Sequence, residues 1–170
     1  MKQTRLASKV VAVYVRPCDT RGMQETYVML KPGVLQRRLV GELIARLEAK
    51  GLALRALKLM TIPRELAEQH YAEHNQKPFF GELVDYITSG PVIAMVWRGT
   101  EAIKLVRILA GATKVQEALP GTIRGDFAHV TTKNIIHASD SEASAAREIG
   151  LFFNPNELVD WEDPLDHWTR

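Results

Sequence analysis

Among 170 residues there is a single cysteine, Cys18. One thiol closes no internal disulfide and builds no thiolate zinc site, which fits a reducing compartment and leads to the expectation of a cytoplasmic protein. Long apolar runs are missing too. The longest fall far short of the ~20 residues that cross a bilayer, so no membrane span is expected. No internal repeat and no low-complexity tract is present. A strong charge of one sign is also lacking, since the formal net charge is only +2. Lys2, Arg5, Lys9, Arg16 and Arg21 against Asp19 give residues 1–22 a charge of +4, which leaves −2 for the rest. Such a body is not expected to coat nucleic acid, and any phosphate site must be a local cluster. No G-x-x-x-x-G-K-[ST] and no glycine-rich protein-kinase loop occurs, which excludes those two nucleotide-binding designs. His70 and His74 stand at i, i+4, but no glutamate follows His70, so the zinc-hydrolase pattern is absent.

Residues 1–24 read as an N-terminal extension ahead of one domain spanning 25–170. "KVVAVYVR" offers six uncharged residues, too few for the apolar centre of a secretory signal. The segment suits a transit peptide, being Arg-rich and nearly free of acids, and equally a mobile or edge-strand extension. Met23 is an alternative start, because periodic structure begins at once after it.

The pattern beyond that point alternates. "TYVMLK" (26–31) reads as a buried strand. Leu39, Leu43 and Leu47 with Val40 and Ile44 recur at helical spacing and predict a helix over 35–50, closed by Gly51 as a left-handed cap. A strand follows over 52–62, and Pro63 opens a new helix where its missing N–H costs nothing. "PFFGELVDYITSG" is a second helical segment, "VIAMVW" (92–97) a strand, and "TEAIKLVRILAG" a helix. Residues 112–133 read as an irregular loop, "NIIHA" as a short strand, and 141–149 as a last helix. Setting the helical pair aside leaves β-α-β-β-α-β. The expectation is an α+β, ferredoxin-like, four-stranded antiparallel sheet with helices on one face, an added helical hairpin and a C-terminal extension.

Chemistry concentrates at "NIIHASDS" (134–141). Ser139 precedes Glu142 by the spacing of a capping box, which predicts a helix N-terminus beside His137, and helix N-termini attract phosphate. Glu148 lies one to two turns on, placed to reach a ring nitrogen and fix its tautomer. A neutral imidazole beside an anion site is a nucleophile for a terminal phosphate; taken alone, the same histidine is more readily a hydrogen-bonded strand end.

"NIIHASDS" resembles the N-I-I-H-G-S-D-S segment of nucleoside diphosphate kinases. "HYAEHNQKPFFGELVDYITSGPVIAMVW", "PGTIRGDF" and "AAREIGLFFNPNELVDW" resemble further segments of that family in the same order, covering residues 25–168. The resemblance implies ping-pong transfer of the γ-phosphate of a nucleoside triphosphate, usually ATP, through His137 to a nucleoside diphosphate. It implies that Lys31, Tyr71, Arg107, Thr113, Arg124 and Asn134 contact phosphates, sugar or nucleophile. It further implies that Ser139 and Glu148 orient the histidine. Arginine forks and a lysine suit phosphate oxygens, since phosphoryl transfer is mostly positioning and charge neutralisation. Magnesium (Mg2+) is expected mainly on the phosphates, with Asp140 contacting it through water. Phe79 and Leu83, at i, i+4, are expected over the base, a contact that accepts any base because every base has a π-face, with Phe80 turned inward. The resemblance also implies a homohexamer or homotetramer; Trp161 and Trp168 suit an interface. A nucleotide-binding scaffold without transfer is the alternative, and it requires a damaged nucleophile or phosphate clamp.

Three stretches depart from the family pattern. K-P-D-G-V-Q is here "KPGVLQ", the residue after the histidine is Ala138 in place of glycine, and "ATKVQEALPG" keeps Thr113 without its usual acidic and amide neighbours. Differences in rate and loop geometry are expected there.

Overall fold

The computed structural model of the protein describes residues 22–164. The expectations for residues 1–21 and for Trp168 lie outside that range. Strand β1 (Met23–Leu30) leads through a turn to α1 (Val40–Ala49), then β2 (Ala53–Met60), α2 (Arg64–His70) and α3 (Phe80–Thr88). After these come β3 (Val92–Thr100), α4 (Ala102–Ala110), a five-residue α5 (Ile123–Phe127), β4 (Ile136–Ala138) and α6 (Glu142–Phe152). The sheet order is β2-β3-β1-β4, antiparallel throughout. This is the expected ferredoxin-like arrangement, with α2 and α3 as the added hairpin.

Helices on one face was wrong: they cover both. Val28 and Leu30 of β1 with Ile93, Met95 and Trp97 of β3 pack against Leu43 and Leu47 of α1 and Val106 of α4. Tyr27 and Met29 with Ala94 and Val96 meet Ala67 of α2, Val84 and Ile87 of α3 and Phe152 of α6. The reason lies in the strands. "YVML" and "VIAMVW" are apolar at both parities, so neither face tolerates water. Leu47 is fully buried between α1 and the sheet. Leu47→Ala is expected to cost about 2–5 kcal/mol, read as a lower midpoint in urea unfolding.

Helix α1 starts at residue 40 where 35 was expected. Gly33 takes φ +96° and Arg38 φ +57°, so residues 32–39 fold as successive turns that bring α1 in only at Leu39. Gly51 closes α1 at φ +84°, as expected. The stretch 112–133 holds α5, a helix too short for periodicity to register. Gly125 is required in it, because a Cβ there would stand 2.1 Å from the Leu119 carbonyl oxygen.

Candidate active site

His137 is the middle residue of β4 and pairs with Met29 of β1. The strand is reached through a tight turn: Ile136 N donates to Asn134 O at 2.7 Å across Ile135, whose φ is +58°. A β-branched residue rarely takes that conformation, and strain of this kind gathers at functional sites. Two contacts hold it. Ile135 O accepts from Lys31 N at 2.8 Å, and Ile136 O accepts from the Arg124 guanidinium at 2.8 Å.

The capping box was misplaced by two residues. Ser141 caps α6 and pairs reciprocally with Ser144. Ser139 instead turns inward, accepting from Tyr27 N at 3.2 Å and donating to Glu148 Oε2 at 2.6 Å. Glu148 is thereby fixed, and its Oε1 lies 3.0 Å from His137 Nε2. The first turn of α6 does not line the cleft that His137 faces, so the expected helix-end anion site is not part of it. A serine satisfied by its neighbour at N3 competes with one two residues earlier, and spacing alone does not rank them.

The cleft has a volume of about 550 Å³. Its wall brings together Lys31, Tyr71, Phe79, Leu83, Arg107, Thr113, Arg124, Asn134, His137, Asp140 and Glu148, all singled out in the sequence. Ser139 alone stands behind the wall, reaching the site through Glu148. Lys31 continues β1 and donates from Nζ to Asn134 Oδ1 at 2.9 Å. Arg124 on α5 is tethered by Gly111 O at 2.6 Å as well as by Ile136 O, so its charge is aimed before any ligand arrives. Arg107 on α4, Thr113 and Asp140 are exposed at the rim. Phe79 is 47% exposed at the mouth, whereas Phe80 packs toward the core under α3, as expected.

Electrostatics favour a neutral nucleophile. Burial lowers the His137 pKa, and Lys31 and Arg124 add to this while the Glu148 contact works against it. Burial brings Lys31 down to about 7 and Arg124 to about 10. Burial also raises Tyr71, so its hydroxyl remains a proton donor.

The departures are absorbed locally. Gly33 N donates to Gln36 Oε1 and Pro32 O accepts from Tyr86, so the turn after Lys31 is anchored on both sides. Ala138 is buried in the core beside Val28, its β-sheet partner. One participant was missed. His70 was weighed only as a partner of His74, yet α2 ends at His70 and the two rings part. His74 lies near Phe79, while His70 faces His137 with ring centroids 4.6 Å apart. Its place beside Tyr71 in "QHYAEH" was the available signal.

A ferredoxin-like sheet carrying a neutral histidine in a cleft of lysine, arginines and asparagine defines a class, the phosphotransferases that work through a phosphorylated imidazole. The sequence model described as nucleoside diphosphate kinase matches residues 24–158, and the chain belongs to the nucleoside diphosphate kinase family. A nucleoside diphosphate kinase of Archaeoglobus fulgidus is 60% identical over 146 residues, 86% of this chain and 97% of its own. One of Bacillus licheniformis is 59% identical, covering 86% and 99%. The solved structure of a halophilic nucleoside diphosphate kinase from Halobacterium salinarum in complex with CDP superposes with a TM-score of 0.85 at 52% identity, covering 86% of this chain and 98% of that one.

Proposed function

We propose that the protein moves the γ-phosphate of a nucleoside triphosphate, usually ATP, to a nucleoside diphosphate by a ping-pong reaction on His137. One observation carries this reading: Glu148 Oε1 stands 3.0 Å from Nε2 of His137, in a histidine that lines the cleft, so Nδ1 is the nitrogen assigned to the phosphate. The Nδ1 lone pair attacks the γ-phosphorus in line, the bond to the β-phosphate oxygen breaks, and its electron pair leaves with the diphosphate. The phosphorylated ring keeps its proton on Nε2 and carries positive charge, which the Glu148 carboxylate balances. A second diphosphate then enters the same cleft and reverses the step. Lys31, Arg107 and Arg124 neutralise phosphate charge, Thr113 and Tyr71 donate, and Asn134 bridges Lys31 and the sugar side. The nucleophile and the cationic clamp are both intact, so a scaffold without transfer is not the reading adopted.

Residues present fit Mg2+ as the divalent cation. The Ser144 hydroxyl lowers the Asp140 carboxyl pKa and keeps an ionised oxygen ligand at the rim. A hard cation held chiefly by phosphate oxygens and water needs about one such carboxylate, and it would screen charge on the transferring group.

Phe79 and Leu83 serve as the base platform. Phe79→Ala is expected to raise KM about 5- to 150-fold for adenine, guanine and pyrimidine diphosphates alike, since lost stacking of ~1–3 kcal/mol is shared by all bases. Steady-state kinetics with four diphosphates checks this; a loss confined to one base contradicts the platform role.

We place the kinase domain at 25–170 behind the extension 1–24 and the protein in the cytoplasm; no described helix is long and apolar enough to cross a membrane. A homohexamer or homotetramer is supported by β2, an edge strand whose Leu57 and Leu59 are exposed. Trp161 donates to Leu54 O over one end of that edge, and the stretch carrying the two leucines suits a second copy. Incubation with γ-labelled ATP and Mg2+ tests the activity. Acid-labile label on the protein, handed to added GDP, is the expected result, and protein that takes no label overturns it.

A further inference from the structure

A second imidazole in the cleft wall is unused by the chemistry above. His70 is only 2% exposed, and neither of its ring nitrogens has a hydrogen-bond partner among the described residues. Tyr27, Tyr71 and Phe152 cage it, with ring centroids 5.9, 4.5 and 5.3 Å away. A phenyl ring would fill that cage without leaving polar atoms unpaired, so an imidazole there calls for a reason beyond packing. The reason lies on its open side. His70 Nδ1 is 3.9 Å from Glu148 Oε1, the oxygen that His137 Nε2 approaches to 3.0 Å.

We propose that His70 is a positioning residue for phosphoryl transfer, donating from Nδ1 to Glu148 Oε1 as positive charge develops on the His137 ring. The carboxylate is then held by Ser139 on Oε2 and by His137 and His70 on Oε1, with the Arg147 guanidinium 3.7 Å from that same oxygen. A movement of about 1 Å brings His70 into hydrogen-bond range. Burial, with His137, Lys31 and Arg147 nearby, holds the His70 pKa at about 2. It therefore donates while neutral and adds no charge to compete with the phosphorylated ring. The trio His70, His137 and Glu148, with ligand-type atoms within 4.8 Å of one another, also has a spacing that a transition ion accepts. Lys31 and Arg147 already oppose a single proton on His70 and oppose a dication twice as strongly, which favours positioning over metal.

The pH dependence of phosphorylation separates this role from packing. His137 is faced by Glu148 and Arg147 of α6, Tyr27 and Lys31 at β1, His70 and Tyr71 at the end of α2, Arg124 of α5, Arg107 of α4, and Asp140 beyond β4. A donation that forms only when the His137 ring is positive favours the protonated ring as well as the phosphorylated one. Removing it therefore disfavours both charged states, slowing phosphorylation and lowering the pH at which His137 protonates.

The inference rests on His137 being the phosphoryl acceptor, so rapid-quench phosphorylation by ATP and Mg2+ is measured first on the wild-type chain. Wild-type protein that takes no phosphate sinks the kinase reading and this one together; the variants below sink only the second. His70→Phe is expected to slow phosphohistidine formation about tenfold with KM for ATP unchanged. Its acid limb is expected to move down by about half a pH unit or more. His70→Asn, whose amide nitrogen stands near the place of Nδ1, is expected to recover most of the rate and the original limb. Should His70→Phe not fold, His70→Leu makes the same comparison with His70→Asn. Wild-type rates and limb in the apolar variant overturn the proposal. Equal losses in the apolar and Asn variants, tracking Tm with no shift of the limb, also overturn it and leave His70 a packing residue.

Discussion

His137→Ala is expected to abolish phosphoryl transfer, lowering kcat by at least about four orders of magnitude while the protein still binds nucleotide. The cleft explains both halves of that result. Lys31 directly follows β1, Arg107 is on α4, Thr113 in the loop after α4 and Arg124 on α5, and none depends on the imidazole for its place. Arg124 is held by Gly111 O and Ile136 O, backbone groups that survive the substitution. Nucleotide affinity should therefore stay within a few-fold by calorimetry, whereas acid-labile phosphate on the protein disappears. Alanine also removes a half-buried ring and takes from Glu148 its nearest contact on Oε1, leaving Ser139 on Oε2 and Arg147 and His70 farther off, so a small fall in Tm is expected. An alanine variant that still takes up phosphate and passes it on would move the nucleophile elsewhere and overturn the mechanism.

Lys31→Met is expected to lower kcat/KM by about 10²–10³-fold, the usual loss when one charge-stabilising donor leaves a water-poor site. Methionine keeps the length and the burial, so the loss reports charge and hydrogen bonding more than shape. The wild-type lysine also carries a pH signature. Burial, reinforced by Arg124, brings its pKa from the ordinary 10.5 to about 7. Between about pH 7 and 10.5 the folded chain thus holds fewer protons at this site than the unfolded chain. The contribution of Lys31 to stability accordingly rises with pH across that window and is flat below it, where both states are protonated. Phosphate oxygens reverse the shift by favouring the ammonium. Nucleoside triphosphate binding at pH 8 should therefore take up close to one proton. Calorimetry in two buffers of different ionisation enthalpy measures this, and Lys31→Met should remove most of the uptake. Identical heats in both buffers for the wild-type protein would show that Lys31 does not titrate there.

Regular elements were legible wherever a side-chain period repeated. The i, i+4 leucines of α1, the alternation to strands and the cap at Gly51 all appear in the fold. Element ends were less so. Arg38 and Glu101 adopt left-handed backbone without being glycine, and α1 and α4 begin only after them, later than the expected starts. The placement of helices on both sheet faces was readable in principle from "VIAMVW", apolar at consecutive positions. Topology by itself gave no count of faces. The cleft residues were found through a resemblance that spans the chain, because separate arginines, a tyrosine and a threonine each have ordinary surface or core roles. His70 escaped because its neighbour in sequence spacing, His74, is not its neighbour in space.

The chain on its own determined the antiparallel αβ framework, the family and the identities of the groups that line the cleft, since hydrophobic periodicity and long collinear motifs are written locally. The three-dimensional packing alone decided which serine caps α6 and which braces Glu148. It also decided that Lys31 is desolvated and that His70 and His137 share one carboxylate oxygen. Those outcomes depend on where distant segments meet, with Ser139 and Tyr27 112 residues apart and Lys31 and Asn134 103 apart in the chain, and on the water excluded there.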